Sequence, residues 1–373
     1  MGCIVAIAGH PSELLQAQTV SGELAKRNVH FDFVVACQPP VLDLPAVNSK
    51  VHKLKVTATT PCGRISELLK RVEQLLDDFK PVAVVTFGPS DAALAAALCC
   101  SRLGVPLVHV GAGLRSFDGT SREERTRILL DHTAALLLCP SVTAAANLKR
   151  EGIRTVPPDG QMVPEKFCTE GISLSRGPIA LNVGDVELEV LAFAVGKPRT
   201  NTHRDYALVA LSANFLSHAS PGDPRARQEL LEAAIHDLSK SGIDSFAVYE
   251  QPSGLWSFEG VDTSTQNQHD LSSSFSYDLI LRLIESAAVL ITDSTQMQRD
   301  AFLLRTPCVS LCNVTPLVET VALGWNVLAG TDPTRIRMAV LRFLHSRPSR
   351  PVVDPYGDGR TTIRLVRLLT SCF

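Results

Sequence analysis

The sequence has no surplus of basic charge. Its 36 Lys and Arg stand against 38 Asp and Glu in 373 residues, a net charge of −2, which excludes the basic stripe of a nucleic-acid partner. Aromatic residues are scarce at 5%, so platforms for stacking single-stranded bases are excluded too. No apolar run reaches the roughly 20 residues of a membrane span, and no membrane partner is expected. The start, "MGCIVAIAGH", offers Gly2 to an acyl chain, but the myristoylation pattern needs Ser or Thr where Ala6 stands. Its apolar run is short and lacks a basic start, unlike a secretory signal. The ten cysteines contain no CxxC pair. Cys308 and Cys312 fall in one predicted strand, where period 2 points them to one face, yet no further ligands lie beside them. The thiols therefore read as free and buried in a reducing cytoplasm. Neither a metal site nor a cofactor is expected.

What is present is alternation. With 45% hydrophobic and 20% charged residues, the chain is long enough for two domains. Predicted strands "CIVAIA", "HFDFVVA" from His30, "VAVVTF" from Val82, "PLVHV" from Pro106 and "ALLLC" from Ala135 are separated by helical stretches. These run from Ser12 to Lys26, Arg64 to Phe79, Ala92 to Leu103 and Ser121 to His132. In the second of them, Ile65, Leu68, Leu69, Val72 and Leu75 form one stripe. The region from Pro157 to Pro198 reads as a connection plus one helix, Asp185 to Ala194. A second series follows. It takes in "DYALVALS" from Asp205, a helix from Arg225 to Lys240, "SFAVYE", a helix from Ser276 to Ser286, "AVLITD", "PCVSLC" and "NVLAG". Helices from Pro333 to Leu344 and Thr361 to Leu369 close it. "GVDTSTQNQHDLSSSFS" reads as a polar loop. Continuous apolar strands between amphipathic helices predict parallel sheets covered on both faces. The expectation is therefore an α/β protein of two Rossmann-like doubly wound domains facing a cleft. Residues 1–184 would form the first domain and 185–373 the second, with the last helix crossing back. Ligands in such sheets sit at the carboxyl ends of strands.

Five strand-end loops carry the candidate chemistry. In "AIAGHPSELL", Gly9 lets backbone N–H groups approach an anion at a helix N-terminus, and His10 can touch a phosphate. In "TFGPSDAALAAA", Gly88 and Pro89 turn the chain and Ser90 or Asp91 caps the helix. In "HVGAGLRSFDGTSREERTR", Ser121 and Glu124 fit a capping box, and Glu123 stands one turn from Arg127, within ion-pair reach. Gly111 is bare at the strand's end. In "ITDSTQMQRDAFL", Thr292, Asp293, Ser294 and Thr295 form a cradle for a phosphate or carboxylate, with Asp300 or Arg299 toward a ribose or phosphate. "PYGDGR" is a turn before the last helix.

These segments, in this order, resemble the non-hydrolysing UDP-N-acetylglucosamine 2-epimerase family over nearly the full length. "PLVHVGAGLRS" with "REERTR" is similar to that family's "HVEAGLR" and "PEExNR". "HRDYALVAL", "LITDSTQMQRDAF", "RTPCVSL", "NVLAGTDPTRI" and "PYGDGR" track it as well. The resemblance implies the GT-B arrangement, UDP or UDP-GlcNAc in the cleft, and a homodimer or a heterodimer with an intact relative. The reaction it implies removes the C2 proton, expels UDP and returns it to an inverted carbon, which needs carboxylates as acid and base and donors on the departing phosphate.

Against that pattern the departures are specific. Gly111 stands for a glutamate, Pro89 for an aspartate and Ser212 for a histidine. His10 stands for an arginine, Leu15 for a lysine and Leu317 for an arginine. Arg299 and Asp300 stand for two acids of "SGGxQEE", and Gln38, Pro39 and Pro40 for "QHR". Glu123, Arg127, Ser294, Gln298 and Asp300 remain, with Glu124 a rival to Glu123 across a short gap. Gly9, His10, Ser294, Thr295, Gln298 and Asp300 are the expected ligand contacts. The expected function is an epimerase-like pseudoenzyme with residual UDP-sugar binding or a partner role. The alternatives are UDP-sugar chemistry using Glu123 and Arg127, with Asp118 in reserve, and a glycosyltransferase of the same shape.

Overall fold

Near-continuous apolar strands do assemble into two parallel sheets. The computed structural model of the chain describes residues 3–36, 50–169, 172–174, 177–196, 206–212, 236, 238–240, 243–250, 256–258, 277–349 and 351–373. They divide into two compact units, Met1–Val190 with Val353–Phe373, and Leu191–Val352. Among the described residues no helix is long and apolar enough to cross a membrane.

The first unit contains β1 (Ile4–Ala8), α1 (Pro11–Ala25), β2 (Phe31–Val35), β3 (Val51–Lys53), α2 (Pro61–Phe79), β4 (Ala83–Thr86) and α3 (Asp91–Leu103). β5 (Leu107–Val110), α4 (Arg122–Thr133), β6 (Leu136–Cys139), α5 (Val142–Arg150), β7 (Arg154–Val156), β8 (Ile179–Asn182) and the start of α6 (Glu187–Ala194) follow. Its sheet runs β3-β2-β1-β4-β5-β6-β8-β7, parallel throughout. The inner strands are buried along their whole length, as a sheet covered on both faces requires. On α2 the buried spine is Leu68, Val72 and Leu76, so the predicted stripe turns slightly and leaves Ile65 half-buried.

The second unit holds β9 (Tyr206–Leu211), β10 (Asp244–Glu250), β11 (Trp256–Phe258), α7 (Tyr277–Ser286), β12 (Val289–Thr292) and α8 (Thr295–Leu303). β13 (Cys308–Ser310), α9 (Val318–Ala322), β14 (Asn326–Leu328) and α10 (Pro333–His345) complete it. Its sheet order is β11-β10-β9-β12-β13-β14, with β11 antiparallel at the edge. The last helix, α11 (Thr361–Cys372), belongs to the first unit.

Three readings need correction. The stretch after Pro157 is not only connection, because Ile179–Asn182 enters the sheet between β6 and β7. Its four residues are too short for a periodic signal amid Pro and Gly. Cys308 and Cys312 do not share a strand. β13 ends at Ser310, and the Cys312 thiol donates to the Asp293 carbonyl at 3.3 Å. Ser121 makes only half a capping box. It accepts from the Glu124 N–H, while the Glu124 carboxylate turns to Ser116 and Phe117. The polar loop 260–276, residues 38–40 and most of the helix expected at 225–240 lie outside the described residues.

The start of α11 meets a titratable group on α6. The Thr362 N–H donates to Glu189 Oε1 at 2.8 Å. Burial, reinforced by Asp185, pushes this carboxyl up to about 7 against the help of the Thr362 donors. A carboxyl raised in the folded state favours the protonated form, so its stabilisation is full below about 4.5 and is lost as pH rises through 7. Urea unfolding between pH 5 and 8 is therefore expected to show a fall in stability of up to about 3 kcal/mol assignable to this group. In Glu189→Gln that fall should be missing.

Candidate functional site

In doubly wound sheets the ligand crevice opens beyond the carboxyl ends of strands where the strand order reverses. The first sheet reverses between β1 and β4, the second between β9 and β12. Each reversal point holds a carboxylate of the chain itself, buried at the first and half-buried at the second.

At the first, β1 runs through Gly9 and His10 into α1. The Gly9 N–H donates to Glu13 Oε2 at 2.7 Å, and the Ser90 hydroxyl donates to the same oxygen at 2.9 Å. The other oxygen lies against the β4 loop, 2.7 Å from where a Cβ on Gly88 would stand. Gly9 has no room for a side chain either, since its Cβ would fall 2.5 Å from Ser90 Oγ. Glu13 thus bridges the two loops that flank the crevice. Burial pushes its carboxyl above the usual range, opposed by donors from Gly9, Ser90 and the His10 backbone. His10 is the N-cap of α1, its Nδ1 accepting the Ser12 N–H at 3.2 Å. Ser90 caps α3 through the Ala93 N–H, and Pro89 between these groups offers neither donor nor acid.

At the second, Ser212 follows β9 and Asp293 follows β12. The Ser212 N–H donates to Asp293 Oδ1 at 2.8 Å, and its hydroxyl donates to Oδ2. Burial raises the Asp293 carboxyl against these two donors.

The loop after β5 is held by charge. Gly111 has φ +84° with open space where a Cβ would point, whereas Gly113, at φ +82°, sits 2.2 Å from the Ala144 carbonyl by the same measure. Only glycine adopts this pair of left-handed turns without strain. The Gly113 N–H donates to Asp131 Oδ2 at 3.0 Å, and Asp131 Oδ1 lies 2.6 Å from His109 Nδ1. Arg115 Nη1 meets Asp131 at 2.7 Å, while its Nε and Nη2 grip Glu151 at 2.7 and 2.8 Å. Burial opposes ionisation of Asp131, but His109 and Arg115 outweigh it and hold the carboxyl below its usual range.

The two candidate glutamates differ in exposure. Glu124 is buried and accepts the N–H groups of Ser116 and Phe117, both at 2.9 Å. Glu123 is 55% exposed and pairs with Arg127 Nη2 at 2.9 Å. The buried Arg127 guanidinium also lies 3.4 Å from Glu124. Asp118 accepts the Thr120 N–H and hydroxyl at 2.9 and 2.6 Å, and these bonds hold its carboxyl below the usual range. Asp91 pairs with both Arg64 and Arg122.

In the second unit, Ser294 caps α8 through the Met297 N–H, and Thr295 begins that helix. Gln298 turns inward, its Oε1 accepting from Thr315 at 2.7 Å and Asn326 at 3.2 Å. Asp300 is also buried and accepts from Tyr277 at 2.6 Å and Gln296 at 2.9 Å. Arg299 donates to Gln296. Ser294 and Thr295 therefore stand at the crevice loop, while Gln298 and Asp300 hold the unit together. Leu15 and Leu317 are buried core residues. Glu13 escaped sequence reading, since an acid in a first helical turn reads as a favourable charge and nothing local says that it crosses to the next loop.

A family model described as UDP-N-acetylglucosamine 2-epimerase matches residues 40–370. The chain is 28% identical to the UDP-N-acetylglucosamine 2-epimerase homolog of Methanococcus maripaludis over 99% of both chains. It is 27% identical to the UDP-N-acetylglucosamine 2-epimerase of Methanocaldococcus jannaschii over 98% of both. The solved structure of a Methanocaldococcus jannaschii UDP-GlcNAc 2-epimerase, in complex with UDP-GlcNAc and UDP, matches with a TM-score of 0.79 at 23% identity over 99% of both chains.

Proposed function

Because the chain belongs to the UDP-N-acetylglucosamine 2-epimerase family, as the match over residues 40–370 shows, we propose that it is a non-epimerising member. In this reading it keeps the fold and has lost proton transfer at the sugar's C2. Its remaining role is to bind a UDP-sugar weakly, or to serve in the cytoplasm as a subunit of a homodimer or beside an intact relative. The observation that carries this reading is the filling of both strand-order reversals by the chain's own carboxylates. Gly9 and Ser212 each spend a backbone N–H on Glu13 or Asp293. A phosphate oxygen seeking the Gly9 N–H would have to displace the Glu13 carboxyl from it. Three cations that follow β5 are neutralised as well: Arg115, Arg122 and Arg127 each face a carboxylate. Where the family resemblance expects acid, acid and imidazole, positions 89, 111 and 212 supply Pro, Gly and a hydroxyl already in use.

A second reading rests on one specific observation. Glu13 sets a buried carboxyl with a raised pKa beside Gly88 and Ser90, next to the position where the resemblance expects an aspartate. In that case the acid has moved from the β4 loop to α1, and Glu13 handles the proton with Glu123 and Arg127. One experiment separates the two: exchange of the C2 proton of UDP-GlcNAc in D₂O, run beside thermal unfolding with UDP and UDP-GlcNAc. Absence of exchange supports the first reading. Exchange that Glu13→Gln abolishes replaces it with the second.

A further inference from the structure

The opposite end of the first sheet gathers a different set of side chains. Cys3 precedes β1, His30 precedes β2, Asp32 is the second residue of β2, and His52 lies in β3. The strands neighbour one another in the order β3-β2-β1. The parallel register pairs Val5 with Asp32 and Val34 with His52. Asp32 and Val34 are two residues apart, which puts Asp32 and His52 on one face. Cys3 Sγ lies 3.3 Å from His30 Nδ1. His30 Nε2 lies 3.6 Å from Asp32 Oδ1, and His52 Nε2 lies 3.8 Å from Asp32 Oδ2. One donor atom each from Cys3, His30 and Asp32 fall within 4.8 Å of one another, the one such group of three found among the described residues. His52 Nε2 is shielded from solvent and makes no hydrogen bond. Its ring is set by Phe79, with centroids 4.7 Å apart.

We propose that Cys3, His30 and Asp32 form a site for a borderline divalent cation, with zinc preferred and with His52, 3.8 Å from Asp32, turning inward as the fourth ligand. Zinc takes sulfur, imidazole and carboxylate ligands at about 2.0–2.3 Å, which sets tetrahedral ligand separations of about 3.3–3.8 Å. The Cys3–His30 distance of 3.3 Å falls in that range, and the exposed His30, which turns Nδ1 to Cys3 and Nε2 to Asp32, can rotate to give one nitrogen to the ion. A thiolate and a carboxylate balance two positive charges, and the two imidazoles add none. The sulfur selects against magnesium and calcium, which take oxygen ligands. In the metal-free protein, burial and the neighbouring Asp32 push the Cys3 thiol up, and a bound cation displaces that proton. The site lies at the amino ends of the strands, away from the ligand crevice at their carboxyl ends, so the metal ties three strand starts together and takes no part in sugar chemistry.

Cobalt(II) titration of the chelator-stripped full chain tests this. The expected result is one cobalt per chain, with a thiolate-to-cobalt charge-transfer band and the intense visible bands of a tetrahedral ion, both erased by zinc. Cys3→Ser should remove the charge-transfer band. His30→Ala, at an exposed position that the fold tolerates, should weaken affinity by at least about 100-fold while the metal-free protein melts as before. No cobalt uptake, a six-coordinate spectrum without the thiolate band, or a band that survives Cys3→Ser would each overturn the proposal.

Discussion

Asp131→Ala is expected to destabilise the protein by about 3–5 kcal/mol, the cost of breaking a buried ion pair by removing one partner, measured as the change in urea unfolding free energy at pH 7. The carboxylate has three partners in a dry interior: the His109 ring at 2.6 Å, the Gly113 N–H at 3.0 Å and Arg115 at 2.7 Å. Alanine leaves the Gly113 N–H without its acceptor and leaves Glu151 as the one carboxylate on the Arg115 guanidinium. It also opens a cavity under a loop whose close approach to Ala144 already fixes Gly113. Asp131→Asn keeps the volume and one acceptor but loses the charge, so it should fall between wild type and Asp131→Ala. The pH dependence has a definite sign. A carboxyl held below its usual range stabilises the fold above the unfolded value of about 3.8, and that stabilisation is lost as pH falls through the folded value. Both variants should therefore show a shallower loss of stability in acid.

The architecture was legible because it rests on signals that act over a few residues. Apolar strands such as Ile4–Ala8 and Leu136–Cys139, and the spine of α2, announce themselves by run and period. Short segments do not: β7 and β8 hold three and four residues, and their place in the sheet is decided by tertiary pairing. The site divides in the same way. That Ser90 and Ser294 cap helices could be read from residue type and position. That Gln298 and Asp300 face inward could not, because it depends on Thr315, Asn326 and Tyr277 arriving from elsewhere in the chain. Glu13 is the sharpest case. Its partner Ser90 is 77 residues away, and only the neighbouring of β1 and β4 brings them together. Cys3 and His30, 27 residues apart, meet for the same reason on the sheet's other end, which no ligand-spacing pattern would reveal.

Exchange of the C2 proton of UDP-GlcNAc in D₂O is expected to run at least about 10⁴-fold slower than with the Methanocaldococcus jannaschii epimerase under the same conditions. Loss of one general acid or base costs about 10²–10⁴ in rate. Two acids and an imidazole are missing from the positions where the family resemblance expects them, and groups that act as a unit do not lose activity additively. The combined loss is therefore expected near the upper end of a single one. Binding is measured separately. A nucleotide present at a hundred times its dissociation constant adds about 2.7 kcal/mol of stability, so a rise in melting temperature with UDP and no exchange would support a binding protein. Failure of both would leave the subunit role, tested by co-purification with an intact relative. Glu13→Gln decides what a positive result means. A buried carboxyl fed by Gly9 and Ser90 acts on the sugar only if those donors release it, so exchange through Glu13 should rise when Ser90→Ala frees one lone pair and vanish with Glu13→Gln. Exchange unchanged in both variants but lost in Glu123→Gln would move the chemistry to α4, where the carboxylate is exposed and paired with Arg127.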